Sequence, residues 1–116
     1  MEKTVTIDGK EIKFKSTGAT PIRFKSQFGK DYFTEIMKLG VLDKLNKIQD
    51  DDFSAEDLEG LDFEVFYNIA WTLAKTANKE IPEPLEWLDS FDEFPILDVI
   101  PELMEMIQKT IQSKKK

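Results

Sequence analysis

Neither cysteine nor histidine occurs in the 116 residues. Their absence rules out a disulfide framework, the Ser-His-Asp and Cys-His nucleophile pairs, and nearly every zinc or transition-metal site. Glycines are few and scattered, so no glycine-rich loop is available to cradle a phosphate. No apolar run approaches the ~20 residues that span a bilayer. The opening MEKTVTIDG lacks the apolar centre of a signal peptide. The expectation is a cytoplasmic protein with no membrane contact, no cofactor and no bound metal.

What is present is the composition of a folded chain, 41% hydrophobic and 34% charged. Its length fits a single domain, 1–116, large enough to bury roughly two thirds of its unfolded surface. The net charge of −7 is unevenly spread, with residues 1–30 at +4 and residues 31–116 at −11. An acidic surface of that extent repels phosphate backbones, so nucleic acid is not an expected partner. Carboxylates are the remaining reactive groups. Asp50–Asp52 lack the alternate spacing and the glycine of a calcium loop. Pairs such as Asp89 and Asp92 could serve as general acid and base, but 23 acidic residues produce such pairs by chance. The chain is not expected to be an enzyme.

The pattern predicts an α+β fold, mostly α, with an N-terminal β-hairpin packed on a bundle of about four to five helices. In KTVTIDGKEIKFK, Asp8-Gly9 suits a two-residue type I′ turn. That turn sets Val5 opposite Ile12, Thr6 opposite Glu11 and Thr4 opposite Lys13. It collects Val5, Ile7, Ile12 and Phe14 on one face of a hairpin over 3–15. The helical part occupies 20–113, and 114–116 reads as a solvated tail. Thr20 is placed as an N-cap before Pro21, opening a helix to about Leu39 that Gly29 interrupts or bends. VLDKLNKI reads as a short helix, and Ser54 and Asp57 in the acidic loop that follows are spaced like a capping box. Asp62 caps the most hydrophobic helix, FEVFYNIAWTLAKTANK, which should be central. A proline-delimited turn and short helix follow, then a last helix whose regular part is expected from Pro101.

Two aromatic clusters bear on function. TPIRFKSQFGKDYF, residues 20–33, mixes four aromatics with three basic residues. Phe24, Phe28, Tyr32 and Ile36 recur every four residues, with Met37 beside them, and form a core stripe. Arg23, Lys25, Lys30 and Lys15 border it, available to acidic helices or an acidic partner. PLEWLDSFDEFP holds Trp87, Leu88, Phe91 and Phe94, within a stretch carrying six acids from Glu80 to Glu93. These four residues either lid the core or form an apolar docking patch rimmed by carboxylates. Trp87, Leu88, Phe91, Phe94, Arg23 and Lys25 are therefore the candidate partner-binding residues.

ATPIRFKSQFGKDYF and the run from FYNIAWTLAKTANK through EIPEPLEWLDSFDEF to the last helix together resemble the tail assembly chaperones of long-tailed phages and prophages of Gram-positive bacteria. The resemblance covers about residues 3–112. It is most specific at Ile69-Ala70-Trp71, Leu73-Ala74-Lys75, Glu86-Trp87-Leu88 and Phe91. It implies a non-enzymatic protein of the host cytoplasm, absent from the mature virion. Such a protein binds the tape measure protein, keeps it soluble and promotes tail tube polymerisation around it. The resemblance leaves room for the major tail tube protein as a second partner and for weak self-association. Members are often made in two forms by ribosomal frameshifting, and Lys114–Lys116 fits either an adenine run or a solubilising tail. The acidic segment Asp50–Glu59 has no counterpart in the resemblance. The runner-up, drawn from charge alone, is a small acidic inhibitor or antitoxin that blocks a basic partner.

Overall fold

The computed structural model describes residues 2–38 and 63–114 of the chain. It is an α+β protein, mostly helical. The order is β1 (Glu2–Ile7), β2 (Lys10–Lys15), α1 (Thr20–Phe28), α2 (Tyr32–Lys38), α3 (Phe63–Ala77), α4 (Pro84–Asp89) and α5 (Ile96–Lys114). The expected helix in VLDKLNKI, the Ser54/Asp57 box, the Asp62 cap and the Asp50–Asp52 run lie outside the described residues.

The two strands pair antiparallel with Val5 opposite Ile12, Thr4 opposite Lys13 and Thr6 opposite Glu11, which is the expected register. Asp8 (φ 53°) and Gly9 (φ 75°) both take the left-handed conformation that a type I′ turn demands. Ile7 and Phe14 are fully buried, and Val5 and Ile12 pack half-buried beside them. A two-stranded hairpin is marginal alone, and here β2 lies along α3. Lys3 shares the alternation of Val5 and Ile7. Its ammonium pairs with Glu102 and, at 2.6 Å, with Glu105 of α5. Those hydrogen bonds, Glu102 first, hold the Lys3 pKa above the usual lysine value.

Helix α3 is the centre. Val65, Phe66, Ile69, Ala70, Trp71, Leu73 and Ala74 are all buried, so nearly its whole girth is covered. It contacts β2, α1, α4 and α5. The buried Thr72 hydroxyl donates to the Asn68 carbonyl one turn back, which satisfies it within the helix. From α5, Val99, Ile100, Leu103, Met104, Met106 and Ile107 complete the core.

Three local expectations are corrected. Thr20 is the first helical residue and not the cap. Ala19 is the N-cap, without a side-chain cap bond, and the Thr20 hydroxyl instead accepts the Thr17 N–H at 2.9 Å. The stripe from Phe24 to Met37 is not continuous, because Gly29 (φ 71°) ends α1 and its N–H bonds to the Lys25 carbonyl. Helix α2 restarts in a phase set by Tyr32 and Ile36. Met37, about 100° round from Ile36, therefore faces outward at 62% exposure. Finally, α5 begins at Ile96, and Pro101 lies inside it. A proline there forfeits one hydrogen bond, to Leu97. The burial of Val99 and Ile100 holds the preceding residues helical regardless.

Candidate functional site

In the first cluster Phe24, Tyr32 and Ile36 are buried, and Phe28 packs half-buried against the core. Phe24 meets Phe28 at a tilt and Tyr32 edge-on, with centroids at 5.0 and 5.3 Å, and Phe28 meets Trp71 of α3 edge-on at 5.7 Å. Of the cations bordering it, Lys30 pairs with Glu35 at 3.9 Å and Lys15 with Glu2 at 3.9 Å, both near in space to their own segments. Arg23 is half-buried, and its Nε has no hydrogen-bond partner among the described residues. Lys25 is exposed.

Tyr32 carries a testable consequence. Its hydroxyl is buried without a hydrogen-bond partner among the described residues, and burial pushes the phenol pKa well above 10. The folded state therefore keeps the proton at a pH where the unfolded chain releases it. That contribution is complete below about pH 10 and is lost as pH rises further. Tyr32→Phe should be neutral or slightly stabilising at pH 7, since it removes an unsatisfied polar group without emptying the site. It should also lessen the loss of stability above pH 10 in urea melts. Destabilisation of more than about 1 kcal/mol at pH 7 would show that the hydroxyl has a partner.

The second cluster is built on α4. Pro84 fixes the first turn, and Glu83 before it is extended (ψ 156°), as a residue preceding proline prefers. Trp87 and Phe91, four residues apart, turn inward and are buried, while Leu88 and Phe94 are half-buried against the core. Trp87, Phe91 and Phe94 form a closed triangle of edge-on rings at 5.3, 5.7 and 5.5 Å, and Tyr67 of α3 joins at Phe94. The stretch leading into α4 is pinned to α3. The Trp71 indole donates to the Pro82 carbonyl at 2.7 Å, and the Lys75 ammonium donates to the carbonyls of Lys79 and Ile81.

The tip of the hairpin closes over the other end. The Lys10 ammonium donates to the Ser90 carbonyl at 2.8 Å and stands 5.1 Å above the Phe91 ring. The Asp92 N–H donates to the Asp8 carboxylate at 2.9 Å. Nothing in the local sequence around Asp8 announces this contact, which joins positions 84 residues apart.

The sequence thus located the cluster, and the fold brings all four residues together with Trp87 and Phe91 covered. The candidate pair Arg23 and Lys25 sits apart on α1. Outside the cluster, the six carboxylates from Glu80 to Glu93 are all exposed. The exposed apolar side chain among them is Leu85, at 73%. Helix geometry was the available signal, since Leu85 lies two residues, about 200°, from the inward Trp87. Ile22 and Leu97, also exposed, bear the same relation to the buried Phe24 and Val99. Among the described residues, no group of acidic side chains is placed to hold a metal ion, and no helix is long and apolar enough to cross a membrane. No family model, curated protein or solved structure matches the chain.

Proposed function

We propose that the protein is a non-enzymatic tail assembly chaperone of the host cytoplasm. It binds a phage tape measure protein, keeps it soluble and promotes polymerisation of the tail tube around it. The observation that carries this reading is the set of residues on which the family resemblance is most specific. Trp71 and Lys75 of α3 hold the chain at residues 79–82 through its carbonyls, and Trp87 and Phe91 are buried and meet edge-on. The likeness therefore falls on residues that build the fold rather than on interchangeable surface positions. The exposed Leu85 within a field of carboxylates suits a helper that must meet apolar chain and remain soluble.

Co-expression with the tape measure protein encoded beside it should keep that protein in the soluble fraction, and the two should co-purify. Covering apolar helix faces lowers the concentration of free, sticky chain by mass action. Moderate salt should weaken the complex less than it weakens a protein–nucleic-acid complex. If the tape measure protein precipitates equally with and without this chain, the chaperone reading falls. The exposed carboxylates from Glu80 to Glu93 would then favour the inhibitor of a basic protein, recognised by steep loss of binding with salt.

A further inference from the structure

We propose that residues 83–95, carrying α4 and the aromatic cluster, form a hinged lid on the core, and that the hairpin tip is its latch. The segment begins just after Pro82, where the Trp71 indole anchors the chain to α3, and ends at Pro95, where α5 takes over. Between these points its backbone hydrogen bonds are local: Trp87 to Glu83, Ser90 to Trp87, Phe91 to Leu88 and Ile96 to Phe94. No ladder of sheet or helix bonds ties it to the rest of the described residues. Among the described residues, three hydrogen bonds that involve a side chain tie it to other elements, Gln27 to Glu83, Lys10 to Ser90 and Asp92 to Asp8, beside the Phe94 and Pro95 carbonyls at the hinge, which accept from the first residues of α5. All three are solvent-exposed, the kind of contact that opens first in sub-global fluctuations.

Beneath these contacts lie the rings of Trp87, Phe91 and Phe94 and the half-buried Leu88. All three rings belong to the segment and pack on one another within it, so lifting it breaks the Phe94–Tyr67 contact and the burial of Trp87 and Phe91 against the core, and leaves the hairpin, α3 and α5 joined through their own packing. Two of the three tethers come from the hairpin tip, whose shape is set independently by the Asp8-Gly9 turn. The tip is therefore a fixed point against which the lid closes. Opening turns a buried aromatic cluster into a surface holding Trp87, Leu88, Phe91 and Phe94. This device does not depend on the chaperone reading.

Native-state hydrogen exchange tests it. In the parent, the Trp87 and Phe91 amides should exchange faster than those of Ile69 and Leu73 in α3. Asp8→Gly keeps a residue suited to the turn while removing the carboxylate, and Lys10→Ala leaves the turn sequence intact. Either substitution should speed Trp87 exchange several-fold, and both together about tenfold, with Ile69 and Leu73 unchanged. The Asp92 amide is not a readout, because Asp8→Gly removes its acceptor directly. Equal protection of α4 and α3 in the parent would overturn the lid. Unchanged Trp87 exchange in the Lys10→Ala and double variants would overturn the latch. Parallel acceleration of Trp87 and Leu73 would show that the tip supports the whole fold and that no separate lid exists.

Discussion

Phe14→Ala should lower the folding free energy by about 3–5 kcal/mol, whereas Lys13→Ala should change it by less than about 0.5 kcal/mol. The two positions are adjacent in β2, so local strand propensity cannot separate them. Pleating does. Phe14 points into the core with no exposed surface, while Lys13 points to solvent and meets Glu2 at 3.7 Å in an exposed ion pair of little energetic weight. Removing the Phe14 ring loses its transfer free energy and leaves a cavity between β2 and α3, two surfaces held rigid by Ile7, Ile69 and Leu73. Urea melts of both variants give the answer directly. Similar midpoints would mean that the hairpin does not pack through this face.

That contrast was legible in the sequence because alternation has a period of two, and one turn dipeptide fixes it. The Asp8-Gly9 turn determines the register, and the register determines every inward residue of both strands. Helix α3 was legible for a related reason. A helix apolar around most of its circumference has no surface to present to water, so it has to be central. Helix phase after an interruption was not legible. Gly29 could bend a continuous helix or end it, and its left-handed conformation, which ends it, decides whether Met37 is covered. The start of α5 failed similarly. Proline chemistry placed the boundary at Pro101, but the burial of Val99 and Ile100 outweighs one lost hydrogen bond.

The aromatic cluster is an intermediate case. Its membership could be read from spacing, since Trp87 and Phe91 are four residues apart. Its cover could not. Whether a short helix lids a core or presents a patch depends on what lies over it, and the hairpin tip arrives there from the far end of the chain. Tertiary contacts of that separation leave no periodic trace.

The consequence is a pair of substitutions with opposite outcomes. Phe91→Asp should destabilise the protein by about 3–5 kcal/mol, since it deletes a buried ring and places a carboxylate between Trp87 and Phe94. The Lys10 ammonium, already above that ring, offsets part of the new charge, which keeps the cost toward the lower figure. Leu85→Asp, six residues earlier, should leave the urea midpoint within about 0.5 kcal/mol of the parent. Its side chain is already in water, and a carboxylate in the first turn of a helix is favourable, though Glu83 and Glu86 beside it repel. Under the proposed function, Leu85→Asp is therefore the folded variant in which loss of partner binding can be read without ambiguity. If it melts like the parent and no longer keeps the tape measure protein soluble, the outward face of α4 is part of the contact. If it melts like the parent and still protects that protein, binding uses another surface, and Ile22 with Arg23 and Lys25 on α1 is the next to change. Should Phe91→Asp instead melt like the parent, the ring triangle contributes nothing to the core, and α4 is a surface element throughout.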